Sequence, residues 1–330
     1  VSAMLLDGKH PESVEQAARA LAGGRLVAIP TETVYGLAAR ADQDAAVAQI
    51  FAAKGRPADH PLIVHVLDET GARRFAQDLP PVALRLMAAF WPGPLTLIVK
   101  RAPGVAGAAA GGQATVGLRS PSHPLARALM QRCRELGVEG LAAPSANRFG
   151  RVSPTRADHV QGEFGPAMLV LDGGDCPVGI ESSIVDCSRG APVLLRPGVL
   201  TPSELEAAAG EPLRAPDARA PKASGTLAAH YAPSAVVRLL ATEPLKRQLS
   251  ETRPAGLAVY SRTVYEGLPL WRAMPDSARA TARQLFAVLR ELDAAGAREI
   301  WIEAPPEGAE WDGVRDRLSR AAAAFAPRQD

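Results

Sequence analysis

The chain has 330 residues, 37 basic and 35 acidic side chains, a formal charge of +2, 47% hydrophobic residues and 22% charged ones. That length suits about two domains with ample cores, and the composition excludes disorder as the main state. Near-neutrality, with a pI of about 8.5, excludes a protein that works by blanketing nucleic acid with charge, while 29 glycines and 29 prolines forecast many tight turns and backbone-built loops.

In chain order, Pro11 to Leu21 reads as a helix, with Val14, Ala17, Ala18 and Leu21 at helical spacing and Gly23-Gly24 ending it. Leu26 to Pro30 is a short apolar strand. Ala45 to Lys54 is a helix closed by Gly55, and Leu62 to Leu67 a strand. Val82 to Phe90 is helical, followed by a Trp91-Pro92-Gly93-Pro94 turn and the strand Leu95 to Val99. Thr115 to Leu118 is a strand, Pro124 to Leu136 a helix and Leu141 to Ala143 a strand. Leu169 to Leu171, Ser183 to Asp186 and Val193 to Arg196 complete a mixed α/β unit of many strands. Glu211 to Pro233 then carries four prolines and no apolar periodicity, the composition of a linker. Beyond it, Ala235 to Leu240 and Gly256 to Tyr260 read as buried strands, Asp276 to Ala295 as a capped helix, Glu299 to Glu303 as a strand, and Val314, Leu318 and Phe325 mark a last helix. Strands alternating with helices imply a small parallel-sheet domain.

Cys133, Cys176 and Cys187 fit no zinc spacing, and three cysteines fit no disulfide framework. A reducing cytosol is the simplest setting. The charge-free stretch between Arg101 and Arg119 is mostly Ala and Gly, too weakly apolar for a membrane span. No secretory signal is expected, because the first residues lack a basic region before an apolar core. There is no Walker A loop, G-x-G-x-x-G or G-x-S-x-G, so a nucleotide would be bound by another scheme.

Five constellations can carry chemistry. Pro30 to Leu37 crowds hydroxyls at a strand end, as a small polar ligand site or as an ordinary strand-to-helix turn. Lys54-Gly55-Arg56 pairs a point charge with a planar fork, suited to phosphate or carboxylate, or merely to a helix C-terminus. Ala143-Pro144-Ser145-Ala146-Asn147 is a small-residue turn whose hydroxyl, amide and backbone N–H groups can cradle phosphate, or a Ser- or Asx-type turn; Ser153 shares its loop. Gly179 to Asp186 and Leu195 to Gly198 are the fourth and fifth. Arg196 and Arg119 each end a strand, placed to grip an anion or to form a surface salt bridge. His65 falls on a strand face opposite Val64, where packing is the ordinary role. No cluster offers the ligands of a protein-built metal site, nor a local nucleophile–base pair. Cations and hydroxyls at strand ends suit binding an anionic nucleotide and steering displacement at phosphorus.

These motifs occur in the order seen in the YrdC-domain family. With the linker ending His230-Tyr231-Ala232-Pro233, the whole chain resembles its two-domain Sua-type threonylcarbamoyl-AMP synthases. The resemblance implies a YrdC-like twisted mixed sheet with surrounding helices over residues 1–210, a linker over 211–234 that closes over the active site, and a small Rossmann-like parallel-sheet domain over 235–330. It also implies condensation of ATP, L-threonine and bicarbonate or CO₂ into L-threonylcarbamoyladenylate and pyrophosphate. A partner transferase would then modify the tRNA adenosine next to the anticodon, so tRNA is reached indirectly, and no membrane is involved. Thr33, His65, Arg119 and Ser183 resemble the threonine-binding positions. Lys54, Arg56, His60, Thr115, Ser145, Asn147, Ser153, Arg196 and Tyr231 resemble the ATP-binding ones, with Lys54 and Arg56 the catalytic pair. Mg²⁺ would arrive with ATP, held by phosphates and water. His60 stands where the family commonly has Asn, and Ser224-Gly225 where it has Pro-Gly. A second class of function is open at this stage, a non-catalytic double-stranded RNA or ribosome-binding module; a third is a carbamoyl-handling relative using another donor or amine.

Overall fold

The computed structural model describes residues 4–326. The first part of the chain runs β1 (Leu5–Asp7), α1 (Pro11–Ala22), β2 (Val27–Ile29), β3 (Gly36–Arg40), α2 (Asp44–Lys54), β4 (Ile63–His65), α3 (Glu69–Ala72), α4 (Pro81–Phe90) and β5 (Leu95–Lys100). It continues through β6 (Thr115–Arg119), α5 (Pro124–Glu135), β7 (Leu141–Ala142), α6 (Ala157–Phe164), β8 (Val170–Asp172), β9 (Ser183–Asp186), β10 (Val193–Arg196) and α7 (Pro202–Ala209). The ten strands form one mixed sheet, ordered β1-β8-β2-β3-β7-β4-β6-β5-β9-β10. Parallel β4 and β6 place His65 beside Arg119, and β5 runs parallel to β9, whereas β5 and β6 are antiparallel.

Helices form where apolar stripes meet stop signals. α2 buries Val47, Ile50 and Phe51 against the sheet and stops at Gly55, whose φ of +63° gives a left-handed cap that a side chain would strain. The cap reverses the chain, so that Lys54 and Arg56 both turn inward and are buried. α1 and α5 cover another part of the sheet with Ala17, Leu21, Leu129 and Cys133.

The second part consists of β11 (Val236–Leu240), α8 (Thr242–Glu251), β12 (Leu257–Ser261), β13 (Leu270–Ala273), α9 (Ala278–Ala294), β14 (Glu299–Glu303) and α10 (Asp312–Ala323). Its sheet is all parallel, in the order β11-β14-β12-β13. Between α7 and β11 the chain has no helix or ladder. It is tied down by single bridges, Val193 to Arg214 and Arg151 to Ala232.

The structure corrects several local expectations. Pro30 to Leu37 does not turn into a helix. It reverses into β3, antiparallel to β2, and Gly36 to Ala39 are too small and too uniformly buried to show alternation. β11 is an edge strand rather than a buried one, with Val236 40% exposed and the Arg238 guanidinium over the Trp301 ring. β1, α3, α6, α7, α8 and β13 were not foreseen. α8 buries only Leu245 and Leu249, which stand at helical spacing but make a thin signal in a short polar stretch, and β13 buries none. Residues 1–3 and 327–330 of the readings at the two ends lie outside the described residues. No described helix is long and apolar enough to cross a membrane.

The two parts share a core. Val34, Val152 and Ile180 of the first, with Tyr231, pack in one cluster with Phe286, Leu285, Val314 and Leu318 of the second. Two glycines permit the approach. At Gly179 a Cβ would overlap Ala282 O and the Arg283 backbone, and at Gly313 it would overlap Gly198 O. Gly179→Ala is therefore expected to destabilise the chain by about 1–3 kcal/mol through overpacking, on top of strain at its φ of +88°. Gly190→Ala isolates the strain, because φ there is +95° and nothing lies near the added carbon. Urea midpoints of the two variants should separate, with Gly179→Ala the lower; equal midpoints would contradict the packing argument.

Candidate active site

The turn after β2, the ends of β4, β6 and β10, the loops after β7 and before β9, and the linker converge on a cavity of about 490 Å³. Thr33, Arg56, His65, Arg119, Ser145, Arg196 and Tyr231 line it, although they lie far apart in the chain. Two adjoining cavities share its walls. One, of about 290 Å³, holds Thr115 with Thr96, Ile98 and Ile184; the other, of about 680 Å³, holds His60 with Phe149, Lys222 and His230. Ser224 borders the first two, and Arg56, Gly225 and His230 border the first and third.

One end of the main cavity is built around Arg119. The Thr31 hydroxyl donates to Val34 O at 2.6 Å and accepts from the backbone N–H groups of Thr33 and Val34, a local turn that fixes both threonines. Arg119 Nη1 donates to Thr33 Oγ1 at 2.9 Å and Nε to Gly93 O at 3.3 Å. Arg119 Nη2 lies 2.7 Å from Glu32 Oε1, with side chains 5% and 6% exposed. This is a buried ion pair and not the surface one that a strand-end arginine suggests. The contact is off the hydrogen-bond direction, and neither atom has another partner. An arriving carboxylate can take that unused N–H. Glu32 escaped the sequence reading; its only signal was an acid between two threonines in the same turn. His65 is held neutral beside them, its pKa pushed down to about 3 by burial and then by Arg119, and its Nδ1 has no partner.

The other end is cationic. Arg56 Nη2 donates to Pro61 O at 2.8 Å and Ser224 Oγ at 3.2 Å, and the guanidinium lies 5.7 Å from the Phe149 ring centroid. Burial lowers its pKa to about 10, so it stays charged at neutral pH. Arg196 Nε donates to Ser182 O, Nη2 to Ser182 Oγ and Nη1 to Ser224 O at 2.8 Å, joining the strand entry to the linker. Burial depresses its pKa as well.

Lys54 sits differently from its neighbour. Its Nζ donates to Ser145 O at 2.5 Å and to Asn147 O, not to the carbonyls of its own helix. It is absent from the cavity wall, and burial followed by Arg56 pushes its pKa well below the usual lysine range. The ammonium fixes the loop after β7 from behind. Asn147 also stands behind the wall, its Nδ2 donating to Arg148 O and Arg151 O. Ser153 Oγ donates to Glu181 Oε1 beneath the floor. Ser183 Oγ is buried without a partner, close against Gly198. The structure thus brings seven of the sequence-predicted residues to one surface. Thr115 and His60 stand in the adjoining cavities, and Lys54, Asn147, Ser153 and Ser183 behind or beside the wall.

The linker lines the cavity with Ser224, Gly225, His230 and Tyr231, and is strained at one of them. Tyr231 has φ of +62°, which costs an ordinary side chain about 1–3 kcal/mol. Its hydroxyl donates to Gly225 O at 3.3 Å. His230 is held neutral, its pKa pushed to about 3 chiefly by burial.

His65 and His230 titrate near 6.5 when unfolded but near 3 when folded. The unfolded chain therefore binds more protons between those values. Their stabilising contribution is full above about pH 6.5 and is lost on acidification, by up to about 1.4 kcal/mol per pH unit for each histidine. Denaturant melts from pH 7 to 4 should show this fall, and His65→Gln should make it shallower; an unchanged slope would refute the assignment. Lys54→Met, which strips two loop carbonyls of their donor, should lower stability by roughly 1–3 kcal/mol and increase hydrogen exchange in residues 145–151. Unchanged exchange there would show that the ammonium does not hold the loop.

The comparisons with known proteins agree along the chain. The Sua5–YciO–YrdC family model, described as telomere recombination, matches residues 19–198, and a model described as the threonylcarbamoyl-AMP synthase C-terminal domain matches 200–323. Threonylcarbamoyl-AMP synthase of Pyrococcus abyssi is 38% identical over 312 residues, covering 90% of both chains. The Bacillus subtilis protein of the same name is 36% identical over 327 residues, covering 94% of this chain and 92% of its own. The crystal structure of P. abyssi Sua5 complexed with L-threonine superposes with a TM-score of 0.86 at 34% identity over 97% of each chain. A cavity at strand ends, a mixed sheet and a second parallel-sheet domain are thus found in a chain matched over nearly its whole length, which belongs to the two-domain threonylcarbamoyl-AMP synthases of the Sua5/YrdC family.

Proposed function

We propose that the chain condenses L-threonine, CO₂ or bicarbonate, and ATP into L-threonylcarbamoyladenylate, releasing pyrophosphate. The observation that carries this reading is one cavity with an arginine suited to a carboxylate at one end and two buried arginines at the other. Arg119 and Thr33 receive the threonine carboxylate and hydroxyl, with Glu32 holding Arg119 in place. His65 and Ser183 complete that end. Arg56 and Arg196 receive the phosphates, with Ser145 beside them and Tyr231 over the mouth. Thr115 and His60 meet outlying parts of the nucleotide from the adjoining cavities. Lys54, Asn147 and Ser153 serve ATP through the loop that they fix.

The reaction needs no protein nucleophile. The threonine amine, after losing a proton, attacks carbon dioxide and forms the N–C bond of a carbamate. A carbamate oxygen then attacks the α-phosphorus, and the bond to the pyrophosphate oxygen breaks. The protein contributes orientation and charge neutralisation in a site screened from water. Among the lining residues the one carboxylate is Glu181, already engaged by Ser153 and Arg317. A Mg²⁺ ion would therefore enter as part of the ATP substrate, held by phosphate oxygens and water. The adenylate is a reactive mixed anhydride. It would be handed to a transferase that modifies tRNA, which accords with a protein whose own charge is close to neutral.

The purified chain should release pyrophosphate from ATP only with both L-threonine and bicarbonate present, with the adenylate detected by mass spectrometry. Retained RNA binding without such release would favour the non-catalytic module instead. Arg56→Ala should lower kcat/KM for ATP by roughly 10²-fold or more, and Arg119→Lys should raise KM for threonine while leaving that for ATP nearly unchanged. An Arg56→Ala variant with normal pyrophosphate release would overturn the assignment of the phosphate end.

A further inference from the structure

The most heavily bonded guanidinium beside the cavity belongs to the second domain. Arg317 lies on α10, and its side chain is 0% exposed. Nε donates to Glu181 Oε2 at 2.9 Å and Nη2 to Glu181 O at 3.0 Å. Nη1 donates to Pro197 O at 2.7 Å and to Asp316 Oδ2 at 2.8 Å. The same guanidinium lies 5.4 Å from the centroid of the Tyr231 ring, which stacks on Phe286 of α9. One side chain of the C-terminal domain thus touches three parts of the candidate ATP site: the acid in its wall, the turn after β10 that follows Arg196, and the strained linker tyrosine.

Arg317 is fully buried and absent from the cavity lining, so it does not face a substrate. Its contacts instead determine where other groups stand. Glu181 is bonded to Ser153 on its second oxygen. A shift of Glu181 would move the loop that carries Ser145 and Asn147. Tyr231 has a positive φ, and its ring contacts both the Arg317 guanidinium and the Phe286 ring, which help to offset that strain.

We propose that Arg317 is a positioning residue for the nucleotide end of the cavity, and that the C-terminal domain serves catalysis by inserting it. The inference rests on the reading of that end as the ATP site. It predicts a selective effect, because the threonine end, around Arg119, Thr33 and Glu32, has no contact with Arg317.

The test compares Arg317→Met, which keeps the bulk and removes the fork, with Arg317→Lys, which keeps a cation but not the planar donor set. Binding of a non-hydrolysable ATP analogue and of L-threonine is measured by calorimetry, alongside KM for each substrate and thermal melts. Arg317→Met should weaken analogue binding and raise KM for ATP by about tenfold or more, with threonine affinity within about twofold and Arg317→Lys intermediate. Equal loss of both ligands, or unchanged analogue binding, would overturn the proposal and leave Arg317 a purely structural residue. Should Arg317→Met fail to fold, Arg317→Lys is combined with Tyr231→Leu. Losses in analogue affinity that are less than additive support coupling through the tyrosine, and fully additive losses refute it. A wild-type chain that binds the analogue but releases no threonine-dependent pyrophosphate would defeat the proposed function, and the binding comparison would still judge the role of Arg317.

Discussion

Glu181 is a carboxylate with almost no access to water, and the arrangement around it follows from that. A buried anion costs several kcal/mol unless cations and donors surround it. Here Arg317 supplies the ion pair, Ser153 a hydroxyl and Arg196 a further nearby charge, which together hold the carboxyl below its usual range against the opposing effect of burial. Each partner comes from a different piece of the chain: α10 of the second domain, the loop after β7, and the end of β10. Satisfying one acid therefore docks the domains, seats the loop and aligns the strand that carries Arg196.

The cations at and behind the cavity wall are in the opposite condition. Lys54, Arg56 and Arg196 are buried near one another, and burial weakens the hold of each on its proton. Much of their hydrogen bonding is to backbone carbonyls, which carry only partial charge. A polyanionic ligand would relieve that repulsion, so the charge that strains the free protein is the same charge that would bind ATP. The net charge of +2 says nothing of this, because the effect is local and lies in a region of low dielectric.

The fold was legible in the sequence where one face of an element is buried and a stop signal follows. α2 with its Gly55 cap, and α9 with its leucine stripe, appear close to where periodicity puts them. β3 was not legible, because Gly36-Leu37-Ala38-Ala39 is buried on both faces and so has no alternation to read. The edge strand β13 buries too little to leave a pattern, and α8 shows only the one leucine pair, Leu245 and Leu249, in an otherwise polar stretch.

The candidate site divides along similar lines. The sequence by itself determined which residue types stand at strand ends, and hence that an anionic ligand is to be met by arginines and hydroxyls; motif order carried the family resemblance over the whole chain. Only the tertiary structure decided which of those groups face the ligand and which stand behind it. Lys54 and Arg56 are two residues apart, yet one ammonium bonds loop carbonyls 91 and 93 residues away, while the neighbouring guanidinium lines the cavity. Arg317 carries no motif at all, and Glu32 sits inside the Pro30 to Leu37 turn without standing out from it. Their importance comes from burial, which makes the partner of a charge obligatory, and a partner 136 residues distant in the chain is invisible to spacing because folding alone brings it within hydrogen-bond reach.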